Sequence, residues 1–315
     1  MTIHSQILNA LYSVVQRLPS IHYGEEKFNR WGPITATLNW CEEDYVVTEY
    51  CAEIVNSITN LIFIYLSLKG MRNCYKEGHD TVFFISFLGL FAVGVGSFLF
   101  HSTLWYSMQL VDELSMIYTT CLMVWASFSH GRSLLYATFC GVVLSSIAGG
   151  VSVYYHYLQD PTFHQNAFAL LTVGILLRSF FMMEWYVREN DPVSVNRMWK
   201  MVTWGVAVFL TGFGLWNLDN AYCSSLRSWR RSVGMPWGML SEGHGWWHLL
   251  TGCGAYYELV YGIYLRYCLD RRQNEYKLVW PSIFSLPSVE RWMPGERGEF
   301  LEKHANGSVN EKKRV

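Results

Sequence analysis

The chain has 315 residues, of which 51% are hydrophobic, 17% aromatic and only 16% charged. A soluble domain is nearer a quarter charged, so the composition points to a membrane protein. The formal net charge of −1 provides no basic field, which excludes nucleic acid as a partner. Length alone would allow two soluble domains, but the apolar runs favour a single helical bundle.

In chain order, residues 1–18 lack the basic head and small-residue cleavage site of a secretory signal peptide. Ile7, Leu8, Leu11, Val14, Val15 and Leu18 recur at roughly helical spacing, which reads either as a short interfacial helix or as a frayed terminus. An acidic cluster, Glu42, Glu43 and Asp44, precedes the first apolar run, with Glu53 just inside it. Oxygen ligands of this kind suit a hard cation, but the spacing is not that of an EF-hand, and on these residues alone a solvated lumenal face is the better reading.

Seven stretches then have the length and apolarity of membrane spans, at roughly 52–70, 82–101, 110–129, 134–155, 165–187, 199–216 and 245–268. They do not alternate with period two, so a barrel is excluded. Several carry polar residues, which predicts an all-α bundle of seven transmembrane helices with a wet interior. The tail, 271–315, is polar, contains Pro281, Pro287 and Pro294, and is predicted to lack a core. The expected division is 1–50 as a lumenal segment with the acidic metal-binding cluster, 51–269 as the bundle, and 270–315 as a cytosolic tail.

Lysine and arginine set the orientation. Lys69, Arg72, Lys76, Arg132, Arg188, Arg197, Lys200 and the flank from Arg266 to Lys277 fall on one side. The bias puts the C-terminus in the cytosol and the N-terminus in a lumen, although Arg227, Arg230 and Arg231 argue the other way. The chain ends Glu311-Lys312-Lys313-Arg314-Val315, similar to a dilysine signal that returns proteins to the endoplasmic reticulum. Asn306-Gly307-Ser308 is a glycosylation sequon that a cytosolic tail would leave unmodified.

With directions assigned, polar residues from distant spans reach one depth. Ser97 and His101 end the second span; Asp112 and Glu113 begin the third; Trp216-Asn217-Leu218-Asp219-Asn220 ends the sixth; His244 and His248 begin the seventh. A lone intramembrane histidine is more often a hydrogen-bonded core residue than a ligand. Three meeting at one rim make a stronger case for a metal. Histidines at i and i+4 share a helix face, and three imidazoles suit a catalytic zinc with one open position. Gly245 stands where soluble H-E-x-x-H metalloproteases have their glutamate, so a base must come from elsewhere, and Asp112 is nearest by depth. Ser97, one turn from His101, can donate to a developing oxyanion, or simply ease helix packing. Cys121, Cys140 and Cys253 lie in spans and read as packing residues. Cys41 and Cys223 fall on the predicted lumenal side, where a disulfide is permitted.

Several motifs resemble the alkaline ceramidase family, integral-membrane amidases within a wider group of seven-span zinc hydrolases. They are Trp31-Gly32-Pro33, Asn39-Trp40-Cys41-Glu42-Glu43, Ala52-Glu53, Gly96-Ser97, Phe100-His101-Ser102-Thr103-Leu104, Gln109-Leu110-Val111-Asp112-Glu113-Leu114, Phe163-His164-Gln165, Trp216-Asn217-Leu218-Asp219-Asn220 and His244-Gly245-Trp246-Trp247-His248-Leu249-Leu250-Thr251-Gly252. The resemblance implies zinc on His101, His244 and His248, Asp112 as acid/base and Ser97 as transition-state stabiliser. It also implies structural calcium on Asn39, Trp40 through its carbonyl, Glu42, Asp44 and Glu53, and a Cys41–Cys223 disulfide. The chain departs from the pattern at Asn39, Asp44, Ser102 and Ser115, where relatives usually have Asp, often Asn, often Met, and Pro.

The expected function is therefore hydrolysis of the ceramide amide to a sphingoid base and a fatty acid, in a multi-pass protein of the endoplasmic reticulum membrane or the Golgi, running in reverse when both products are abundant. Ceramide and the bilayer are the expected partners. The alternatives are a zinc-containing seven-span lipid receptor with little or no turnover, and a non-catalytic lipid transporter or scaffold; Asp112 and Ser97 favour the enzyme.

Overall fold

The computed structural model of the chain describes residues 19–293. The interfacial helix expected at 1–18, the sequon at Asn306 and the lysines 312 and 313 lie outside the described residues. The helices are α1 (Ile54–Thr59), α2 (Leu61–Glu77), α3 (Thr81–Thr103), α4 (Tyr106–Ser129), α5 (Leu134–Leu158), α6 (Pro161–Met182), α7 (Pro192–Ala221), α8 (Cys223–Val233) and α9 (Gly243–Leu269). A π-helical turn, Met183–Val187, continues α6. Local chemistry sets the ends. Pro161 and Pro192 open α6 and α7, with the Asp160 and Asp191 side chains accepting from Thr162 N and Ser194 N. Gly78, at φ 70°, closes α2 in the left-handed conformation.

Five of these helices, α1 and α2 being counted as one continuous stretch, are long and apolar enough to cross a membrane. In hydrocarbon only a helix satisfies its own backbone, so long apolar runs must be helical. α4 and α9 are as long, at 24 and 27 residues, but more polar, because they carry the groups of the interior. The outside is correspondingly greasy: α5 exposes Leu134, Leu135, Phe139, Val142 and Val153 while Gln109, Glu113 and His164 are buried. This is a membrane protein's distribution of polarity, with the polar groups paired inside.

α9 is the central strut, packing on α7, α2 and α1. Its tyrosines, Tyr256, Tyr261 and Tyr264, join Leu66, Phe87 and Met198 in the main core. α2 and α3 approach at Gly70, where an added Cβ would lie 2.3 Å from the Phe87 ring, the close contact that small residues permit.

The expectation of a coreless tail is corrected over its first part. Strands β1 (Tyr276–Val279) and β2 (Ser288–Arg291) pair antiparallel, with Leu278 opposite Val289. Tyr276, Leu278 and Val289 point inward and join the main core, and the Tyr276 ring stacks on Tyr267 at 3.7 Å. Tyr276 and Leu278 alternate with outward residues at period two, a signal too short to stand out beside three prolines. Leu278→Ala is expected to cost about 2–4 kcal/mol through the cavity it leaves, read as a lowered melting temperature in detergent; a tail without a core would not respond.

Candidate metal centre and active site

His101 lies in the last turn of α3, and His244 and His248 in the first turns of α9. Each offers a ring nitrogen within 4.8 Å of the others, and all three are buried. Glycines bring α9 this close. A Cβ at Gly243 would meet Asp219 Cβ at 2.6 Å and the Leu215 carbonyl at 2.7 Å, and one at Gly245 would meet Val55 Cγ1 at 2.9 Å. Gly245 thus faces α1, which is why no glutamate stands there.

Two of the three imidazoles are held from behind by hydrogen bonds. His101 Nδ1 bonds the buried Glu53 carboxylate. His248 Nδ1 meets Thr59 Oγ1 at 3.0 Å and Asn60 Nδ2 at 3.4 Å. Thr59 donates to the carbonyls of Val55 and Asn56, so its oxygen is placed to accept from His248 Nδ1–H; Asn60 Nδ2, a donor only and at the longer distance, makes no hydrogen bond to a protonated Nδ1. Glu53 likewise takes the Nδ1 proton of His101. Both rings therefore present Nε2 as a lone pair, the arrangement in which partners behind a metal-binding histidine fix its tautomer. His244 stacks on the Trp40 indole at 4.3 Å, and its buried Nδ1 has no hydrogen-bond partner among the described residues. Buried neutral nitrogens with no other acceptor role fit a borderline transition metal well.

Beside this trio, Gly96 lets α4 approach α3. A Cβ there would lie 2.9 Å from Asp112 N. The contact sets Asp112 of α4 against the turn of α3 that carries Ser97, and Ser97 is one turn from His101 on the same helix face. The predicted acid/base and oxyanion groups are thus brought together.

The acidic cluster adjoins the histidines through Glu53. Glu53 accepts from Trp40 N at 3.2 Å and from Asn56 Nδ2 at 3.3 Å, as well as from His101. Both oxygens of Glu42 accept from the first amides of α1, Val55 N at 2.7 Å and Asn56 N at 2.8 Å, where helix N-termini favour a carboxylate. Asn39 Nδ2 donates to Asp44 at 2.8 Å, so the two positions that exchange their usual residue types are direct partners. Asp44 Oδ1 is buried with no hydrogen bond among the described residues. Burial, and then the nearby Glu53 charge, push Glu42 up to about 8 and Asp44 up to about 6. Such crowding fits a bound cation. Glu43 points elsewhere, pairing with Arg231 at 2.8 Å. The Trp40 carbonyl, expected to face a cation, accepts from Arg227 at 3.1 Å, leaving its second lone pair for one.

Cys41 and Cys223 form the disulfide, with Cα atoms 5.4 Å apart. Around it, Arg227 also donates to the Cys41 and Glu42 carbonyls. Arg230, 1% exposed, pairs with Asp219 at 2.5 Å and Glu242 at 2.9 Å. Thr59, Asn60 and these arginines escape sequence reasoning. Arg227, Arg230 and Arg231 are all consumed by internal partners, so their count says nothing about topology; their clustering opposite an acidic stretch is the signal that they pair.

Comparison with known proteins agrees with this geometry. The sequence pattern of the family described as Ceramidase matches residues 32–290. The chain is 36% identical over 266 residues to alkaline ceramidase 3 of Mus musculus, covering 82% of this chain and 95% of that protein. It is 34% identical over 263 residues to alkaline ceramidase YPC1 of Saccharomyces cerevisiae, covering 79% and 83%. An alkaline ceramidase of Arabidopsis thaliana is 26% identical over 235 residues, covering 72% and 82%. A match over most of the chain, joined to three converging histidines and an adjoining Ser–Asp pair, makes this protein a member of the ceramidase family.

Proposed function

We propose that the protein is a zinc-dependent amidase that cleaves ceramides into a sphingoid base and a free fatty acid. The observation that carries the metal centre is the histidine trio, with Nδ1 of two rings engaged from behind and their Nε2 atoms left free. Zinc held by His101, His244 and His248 would polarise the amide carbonyl and raise the acidity of a bound water. The chain's own groups handle the protons. Asp112 takes one from the attacking water and returns it to the leaving nitrogen. While ionised, Asp112 accepts the Ser97 hydrogen bond. Once protonated it becomes a donor to Ser97 Oγ, and the Ser97 hydrogen is free to turn to the oxyanion. The same barrier is crossed in reverse, so the site also joins a base and a fatty acid when both are abundant.

A lipid amide suits the position. The site lies at one end of a bundle whose outside is apolar, so two long chains stay in hydrocarbon while the amide reaches the polar interior. We read α2 to α7 and α9 as seven spans with the site on the lumenal side and the C-terminus in the cytosol. The Cys41–Cys223 bridge beside the site supports this, because disulfides persist in oxidising compartments. The membrane of the endoplasmic reticulum, an entry point to the lumenal compartments where such a bridge persists, is the location in this reading. In the same reading the domains are a lumenal segment, 1–50, the bundle, 51–269, and a cytosolic tail, 270–315, whose first part packs on the helices.

Calcium is the cation proposed for the acidic cluster, on Asn39, the Trp40 carbonyl, Glu42, Asp44 and Glu53. Oxygen donors of this hardness favour it over zinc. Its role is structural, since the cluster orients Glu53 and Trp40, which in turn hold His101 and His244.

Three tests follow from these assignments. His248→Ala is expected to lose bound zinc and turnover together, measured by elemental analysis and by mass spectrometry of sphingoid bases released from mixed ceramides; turnover without zinc contradicts the assignment. Asp112→Asn is expected to keep its zinc but lose at least about a hundredfold in kcat, and Ser97→Ala on the order of tenfold to a hundredfold. Calcium added to chelated protein is expected to raise the melting temperature of the wild type and to do so much less in Asp44→Ala; equal shifts in the two would remove Asp44 from the cation site.

A further inference from the structure

Next to Asp112 lies a buried polar cluster that the reaction as described does not use. Gln109, Glu113, Tyr155 and His164 are all buried, Gln109 and Tyr155 completely. They come from three helices. Gln109 and Glu113 lie one turn apart on α4, Tyr155 near the end of α5 and His164 in the first turn of α6. The Glu113 carboxylate accepts from Gln109 Nε2 at 3.1 Å and from the Tyr155 hydroxyl. His164 Nε2 donates to the Glu113 carbonyl at 2.8 Å, and its Nδ1 lies 3.5 Å from Glu113 Oε1. Gln109 extends the cluster to the N-terminal segment: its Oε1 accepts from Thr37 N at 2.9 Å, and its Nε2 reaches Thr37 Oγ1 at 2.8 Å.

So many bonds on one residue, by side chain and backbone together, hold it in one place. Glu113 is the neighbour of Asp112, and consecutive helical residues point about 100° apart. Fixing Glu113 against α5 and α6 therefore fixes the rotation of α4, and with it the direction of Asp112 toward Ser97 across the Gly96 contact. Apolar packing contributes as well, with Ile117 and Cys121 of α4 buried against Ala148 of α5, but apolar contacts are not directional. A buried hydrogen-bond network is directional.

We infer that Gln109, Glu113, Tyr155 and His164 are positioning residues that set the rotation of α4, so that Asp112 meets Ser97 and the histidine site. The inference rests on Asp112 as the proton carrier. None of the four touches the reacting atoms. Their loss misplaces Asp112 without removing the metal's ligands.

The test compares Tyr155→Phe, Glu113→Ala and Glu113→Gln with Asp112→Asn in full-length purified protein, reading kcat, KM and bound zinc with ceramide in mixed micelles. Misplacing a catalytic group by a fraction of a helix turn is expected to lower kcat by about tenfold to a hundredfold in Tyr155→Phe and Glu113→Ala, with KM changed by less than about twofold. Bound zinc stays at the wild-type level. Glu113→Gln keeps an acceptor for Tyr155 and gains a donor toward His164 Nδ1, so it is expected to recover kcat to within about threefold of wild type. If Glu113→Ala does not fold, Tyr155→Phe, which keeps the ring, carries the comparison. Wild-type kcat in Tyr155→Phe, zinc lost in step with activity, or Glu113→Gln as impaired as Glu113→Ala would each overturn the inference. Full activity in Asp112→Asn would instead overturn the role of Asp112 itself, which separates the two failures.

Discussion

The bond between Glu53 and His101 joins the two halves of the site. Glu53 is fully buried, and a carboxylate so placed is tolerated only if its oxygens are matched. It meets that demand with three donors from three places: Trp40 N in the N-terminal segment, Asn56 Nδ2 in α1 and His101 Nδ1 in α3. The same residue therefore orders the loop that carries Asn39 to Asp44 and sets the tautomer of a metal-binding histidine. Removing it would leave His101 free to rotate and the loop without its inner anchor. The cation cluster and the histidine centre are in this sense one structure, and a change in either is transmitted through a single carboxylate.

The remaining supports extend that principle along the loop. The disulfide ties Cys41 to the start of α8, Arg227 gathers the carbonyls of Trp40 to Glu42, and Arg230 links Asp219 at the end of α7 to Glu242 just before α9. The helix carrying His244 and His248 is thereby fixed at its first turn. A buried arginine between two carboxylates is a poor source of net stability, but it specifies one arrangement of three chain segments. The bundle below can then remain apolar and loosely covered on the α5 side without disturbing the ligands.

Much of this was legible in the sequence, for physical reasons. A bilayer requires long apolar helices, and five of the seven predicted stretches correspond to helices long and apolar enough to cross one; the other two are the more polar α4 and α9, and the ends shift mainly where Pro161, Pro192 and Gly78 act as caps. Three histidines at one depth are rare enough in a membrane protein to be read as a site, and the structure does bring His101, His244 and His248 together. Gly96 lets α4 approach α3 at Asp112, at the depth where Ser97 and Asp112 were expected to lie together. What could not be read was what depends on rotation about a helix axis or on a chain folding back. Glu113 and Asp112 look equivalent in sequence, yet one faces α5 and α6 and the other Ser97. Arg227 and Arg230 look like surface charge and are internal ligands for carbonyls and carboxylates. The hairpin at 276–291 packs Tyr276, Leu278 and Val289 into the core from a stretch whose prolines and polar residues suggested none.

Metal K-edge X-ray absorption on the purified full-length protein tests the central claim most directly. The account predicts stoichiometric zinc in a first shell of three imidazole nitrogens at about 2.0–2.1 Å with one lighter oxygen neighbour, and loss of the imidazole signal in His248→Ala. Active protein with no transition metal, or zinc bound by sulfur or carboxylates alone, would contradict it.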